Sequence, residues 1–135
     1  MFRILPFIFL FIACSTRTGN KEEIIIVDTL KVSGTIYVHD SIQVVQDYTL
    51  YAIYDGQVTI QGPTNSASSK TIQFDSIKIG IPQGHENGVV KFRVKVNGLK
   101  ETRTWMCYGE TPDTFKVNQK VFSNVIINAQ SCAYN

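Results

Sequence analysis

At 135 residues, 44% of them hydrophobic and 18% charged, the chain has room for one ordinary domain and is too apolar to stay unfolded. A formal net charge of +2 gives no broad basic surface of the kind a nucleic-acid-binding domain carries, so no nucleic acid is expected as a partner. No stretch has the amphipathic period of a helix and no internal repeat is present, which leaves strands to build the core.

Met1 to Ala13, MFRILPFIFLFIA, sets a positive charge at Arg3 before an apolar run too short to span a bilayer. That is the pattern of a signal peptide. Phe11-Ile12-Ala13-Cys14 resembles a lipobox, the bacterial lipoprotein signal in which small or apolar residues precede a cysteine that is cleaved and lipidated; Phe11 stands where Leu is usual. The resemblance implies lipidation at Cys14 and a place in a bacterial cell envelope, on the outer membrane. The polar stretch that follows, to residue 23, then reads as a tether, and residues 24–135 as the domain. Ordinary cleavage after Ser15 is the alternative, and it would release a periplasmic or secreted protein. With Cys14 lipidated or removed, Cys107 and Cys132 remain as an even pair, expected to form a disulfide in an oxidising compartment. Two buried free thiols are the other possibility. Neither cysteine has the Cys or His spacing of a zinc site, so no metal is expected.

Ile24 to Val38 alternates with a period of two, which predicts strand. Asp28 and Gly34 fall on its apolar face, so a bend or bulge is expected near one of them, and the length suggests two segments, one of which crosses between sheets. Val32 to Val38, VSGTIYV, resembles the opening strand of transthyretin-like carboxypeptidase regulatory modules over seven residues; the second-strand pattern of that family is absent. Ile42 to Ile60 reads as a hairpin with Asp55-Gly56 at its tip. A three-residue loop over Tyr54, Asp55 and Gly56 would pair Ala52 with Val58 and Leu50 with Ile60, keeping one apolar face and putting Tyr51 and Ile53 on the other. Pro63 to Lys70 is a loop by composition. In Thr71 to Ile81 the apolar phase changes between Phe74 and Ile77, which calls for a bulge near Asp75-Ser76. Pro82 to Gly88 is another loop.

Val89 to Cys107 reads as a second hairpin. Val90, Phe92, Val94 and Val96 alternate with Lys91, Arg93 and Lys95, and Asn97-Gly98 has the composition of a tight turn. In that register Lys100 joins Lys91, Arg93 and Lys95 on one face as a basic strip, while Glu101 and Arg103 fall uncomfortably on the apolar side, as at a bulge or an edge strand. The strip is the candidate binding site, for an anionic partner. A charged outer face that discourages pairing with other chains is the competing explanation. Beyond Cys107, Phe115 with Val117 and then Val121 to Ala129 supply the last strands. Tyr51 with Ile53, or Trp105 with Tyr108, would make an aromatic platform, although Trp105 packed against the disulfide in the core is the expected arrangement.

Signals for catalysis are poor: no phosphate loop, nucleophile elbow or helical His pair is present. The histidines, His39 beside Asp40 and His85 beside Glu86, sit at turns and are expected to be solvated; a metal site would need the fold to bring both together with a carboxylate. The sum is an all-β, antiparallel two-sheet sandwich of about seven strands, immunoglobulin-like or transthyretin-like. No cofactor and no catalytic residue are expected. The expected role is a small non-catalytic binding or assembly module of the envelope, its partner a protein or an anionic envelope component, held to the membrane by lipid alone. The alternative is an exported inhibitor of an extracellular hydrolase that inserts the Pro63 to Lys70 or Pro82 to Gly88 loop.

Overall fold

The computed structural model describes residues 23–134; the signal peptide, Cys14 and most of the expected tether lie outside them. Alternating apolar residues produce nine strands: β1 (Ile26–Val38), β2 (Val44–Tyr54), β3 (Val58–Ser66), β4 (Thr71–Pro82), β5 (Val89–Lys100), β6 (Arg103–Glu110), β7 (Phe115–Lys116), β8 (Val121–Ala129) and β9 (Ser131–Tyr134). They form two packed sheets, ordered β4-β1-β8 and β3-β2-β5-β6-β9, with β7 pairing β5. The all-β two-sheet sandwich is as expected. Every pairing is antiparallel except that of β1 with β8. An immunoglobulin sandwich puts its first, second, fourth and fifth strands in one sheet; here β1 and β4 lie in one sheet and β2 and β5 in the other.

The core is the set of inward positions of both sheets. Leu30, Val32 and Ile36 of β1 face Leu50, Ala52, Phe92 and Val94, all fully buried. Phe92, Phe115 and Phe122 meet with centroids 5.5–5.7 Å apart, joining β5, β7 and β8. Tyr54, the largest buried side chain, satisfies its hydroxyl by donating to the Gly80 carbonyl at 2.7 Å. Cys107 and Cys132 are bonded across β6 and β9. Closing that loop, a separation of 25 residues, stabilises the fold by roughly 3 to 4 kcal/mol on the chain-entropy model.

The bulge expected in β4 is present. Ser33 of β1 faces two residues, Asp75 and Ser76, between the pairs Val32↔Ile77 and Gly34↔Phe74. It also faces two on its other side, Ser123 and Asn124, between Val32↔Phe122 and Gly34↔Val125. Bulges therefore line up across the whole small sheet, with Ser76 and Asn124 in the left-handed region. They let β1 run as one strand of 13 residues within a single sheet, where a crossing between sheets was expected. Gly34 sits at the closest approach, for a Cβ there would overlap the Val125 carbonyl.

Three registers differ from the sequence reading. The β2–β3 loop is Asp55-Gly56-Gln57, with Tyr54 opposite Val58 and Ala52 opposite Ile60; one apolar face survives, but the pairing is displaced by two residues. Pro63 to Ser66 belongs to β3, an edge strand that tolerates proline, so the loop shrinks to residues 67–70. The third difference moves the candidate site. β5 does not turn at Asn97-Gly98 but continues to Lys100, and the turn is Glu101-Thr102, both at positive φ. Gly98 serves packing: a Cβ there would meet Ile42 Cγ2 at 2.6 Å and the Val44 carbonyl oxygen at 2.7 Å.

Candidate functional site

Lys91, Arg93 and Lys95 project from β5 to the outer face of the larger sheet, at the 6–7 Å spacing of alternate strand residues. β5 is hydrogen-bonded on one side to β2 and on the other to β6, so the row is not an edge. The longer hairpin puts Glu110 opposite Arg93 and Tyr108 opposite Lys95, in place of the buried acid and base that the shorter turn required. Arg93 donates to Glu110 Oε2 from Nε (2.9 Å) and Nη2 (2.7 Å), and Lys91 Nζ lies 3.7 Å from Oε1. One carboxylate thus serves two cations, and Lys95 has no ion pair among the described residues. Asn97 donates to Asp47 Oδ1 at 2.7 Å and closes the row.

The neighbours on β2 are apolar. Tyr51 lies opposite Arg93 and Ile53 opposite Lys91, both half-buried against basic side chains whose aliphatic stems pack well on such surfaces. Tyr108 adds an exposed ring beyond Lys95. The face is therefore a mixed one, cationic along its centre and aromatic or aliphatic to either side.

Lys100 is not part of it. With the turn at Glu101-Thr102, Lys100 shares the opposite face of the sheet with Arg103, Trp105 and Tyr134, at the tip of the β5–β6 hairpin and past the edge of the core. There Lys100 Nζ lies 4.8 Å from the Trp105 ring centroid, Trp105 and Tyr134 are 4.1 Å apart, and the Arg103 guanidinium is 4.5 Å from Tyr134. Trp105 packs on the core beside Cys132, as expected, and it faces away from Tyr108, so the two do not form one platform. Arg103 and Tyr134 were missed because the assumed register put Arg103 in the core, and Tyr134 joins through a strand with no sequence pattern of its own.

The histidines are far apart. His39 follows the end of β1 and His85 lies by the start, roughly 40 Å away along a strand of that length. Nor are they free in solvent. The His39 ring nitrogen accepts the Ser41 N–H at 3.0 Å. His85 pairs not with neighbouring Glu86 but with Asp55, Nδ1 to Oδ2 at 2.6 Å, while Asp55 Oδ1 accepts the Val89 N–H at 2.9 Å. The Val89 N–H, with His85 behind it, holds the Asp55 carboxyl below its usual range. Gly88 leaves the space this carboxylate occupies, since a Cβ there would overlap both of its oxygens. The arrangement latches the 82–88 loop to the β2–β3 turn.

Among the described residues no group of three or more His, Cys, Asp or Glu could hold a metal ion. The aligned bulges border a groove of about 310 Å³, and its one carboxylate is tied into the bulge: Ser33 Oγ donates to Asp75 Oδ1 and accepts the Ser76 N–H, both at 2.9 Å. What the fold offers for recognition is surface: the mixed outer face and the cationic hairpin tip. No protein-family model, curated protein or solved structure matches the chain. Its class is thus given by the fold alone, an all-β two-sheet sandwich stapled by one disulfide.

Proposed function

We propose that this protein is a lipid-anchored component of a bacterial cell envelope and acts, without catalysis, as a small binding or assembly module. Its partner is a protein or an anionic envelope component that docks on the outer face of the larger sheet. The supporting observation is the row Lys91, Arg93 and Lys95, left with excess positive charge by the single Glu110 carboxylate and flanked by Tyr51, Ile53 and Tyr108. Aromatic residues and arginine are enriched at protein interfaces, and a positive row complements an anionic partner. A test is photo-crosslinking from position 51 in the membrane-anchored chain. A discrete adduct is expected with Lys91, Arg93 and Lys95 in place and lost when all three are replaced by Glu; an adduct insensitive to that change, or none, would sink this face as the interface.

The diffusible inhibitor is the second reading, and one observation favours it: the 82–88 loop is held in a single shape by Asp55 and His85, and preorganisation raises affinity. The 63–70 segment offers less, because half of it is strand. Deleting Gln83 to Asn87 would abolish inhibition on that reading and leave the Tyr51 adduct intact on the first.

A further inference from the structure

We propose a second binding site, for an acidic polysaccharide, at the hairpin tip formed by Lys100, Arg103, Trp105 and Tyr134. It lies on the opposite face of the large sheet from the basic row and at the pole of the sandwich opposite to Glu23, where the chain enters the domain.

Both cations are positioned, yet neither is neutralised. The four ion pairs of the described residues include neither Lys100 nor Arg103. Each instead lies over an aromatic ring, which attracts the cation through its quadrupole and leaves its formal charge available. In the basic row, by contrast, Lys91 and Arg93 share the Glu110 carboxylate, so part of the charge there already has a partner. The positioned cations thus lose less freedom on meeting an anion than free surface lysines would.

The rest of the cluster favours a sugar chain over a bare anion. Tyr134 is 54% exposed, with the Arg103 guanidinium over its ring and Trp105 against it, so what it offers a sugar is a phenolic hydroxyl that can donate to and accept from sugar hydroxyls. Trp105 Nε1–H is buried and has no acceptor among the described residues, a deficit that calls for a partner. A modest shift of Tyr134, at the end of the four-residue strand β9, would open that donor to a carboxylate or hydroxyl oxygen. A polyuronate supplies all of these: carboxylates at regular intervals for Lys100 and Arg103, hydroxyls for the Tyr134 side chain, and oxygen acceptors for the indole. An anionic bilayer fits less well. If Cys14 is anchored as proposed above, this pole points away from the membrane; only that part of the inference rests on the anchor.

Trp105 is the single tryptophan of the chain, so its fluorescence reports on this site directly. The full chain in mild detergent is titrated with polygalacturonate, with neutral dextran, with poly-L-glutamate and with phosphatidylglycerol vesicles. A saturable, salt-sensitive change with polygalacturonate is expected, dextran being inert and poly-L-glutamate weaker. In the double variant Lys100→Gln/Arg103→Gln, both positions lying outside the core, affinity should fall about tenfold or more, while loss of the two cation–π contacts lowers the melting temperature by only a few degrees. The triple Glu variant of Lys91, Arg93 and Lys95 should bind within about twofold of the native chain. No response to polygalacturonate, equal binding by the double variant, equal affinity for poly-L-glutamate or dextran, or a response to vesicles alone overturns the proposal. Because the Tyr51 adduct reads the other face, either site can fail without the other.

Discussion

Asp55 has a conformation and a charge state that serve the same end. Its positive φ turns the chain, and the turn aims the carboxylate at the Val89 N–H and at His85. Its pKa is lowered in the folded state, so the ionised form is the one the fold favours. That contribution is fully present above the unfolded carboxyl value of about 4 and is lost as the pH falls through the lower folded value. Asp55→Asn should therefore cost about 1 kcal/mol near neutrality, and the difference from the native chain should shrink as melting curves are taken below pH ~4. Gly34 makes a sharper prediction. Its replacement by Ala must push β1 away from the Val125 carbonyl, at roughly 2 to 3 kcal/mol in urea unfolding. A cost under a few tenths would mean that the bulged sheet yields more easily than its geometry implies.

Among the elements, the β5–β6 hairpin shows how a strong local signal loses to packing. Asn-Gly is the best short-range indicator of a two-residue turn, yet Gly98 is retained as the one residue small enough to lie under Ile42 and beside the Val44 carbonyl. The turn goes instead to Glu101-Thr102, at φ +52 and +66, where neither side chain is comfortable. Glu101→Asn with Thr102→Gly should raise stability by about 1 kcal/mol, measured by the denaturation midpoint; a loss would mean that the native side chains hold the tip in a way its backbone does not reveal. The β4 bulge was legible because its apolar residues change phase between Phe74 and Ile77, and burial on one face admits no other solution. In β2–β3 the same logic fixed the face but not the register, since pairings two residues apart leave the same side chains inside.

For the whole molecule, the disulfide and the anchor carry separate tests. Reduction should lower stability by roughly 3 to 4 kcal/mol, a large part of what a domain of this size commonly has, and Trp105 beside the bridge should report it. Intact mass, taken from a bacterial host that processes the native leader, is expected to begin at a lipid-modified Cys14; a mass beginning at Thr16 would make the diffusible inhibitor the leading proposal. Strand character, the inward residues of β1 from Leu30 onward, the β4 bulge and the Cys107–Cys132 pair followed from the sequence alone, because a period of two and an even cysteine count constrain the chain locally; Ile24 and Ile26, in phase with Leu30, are nevertheless exposed. Other features were decided only by tertiary structure: the parallel pairing of β1 with β8, the His85–Asp55 latch, and the separation of Lys100 from Lys91, Arg93 and Lys95. Each depends on a contact between residues distant in the chain. In the last case, a hairpin longer by a few residues carries a side chain to the opposite face of the sheet.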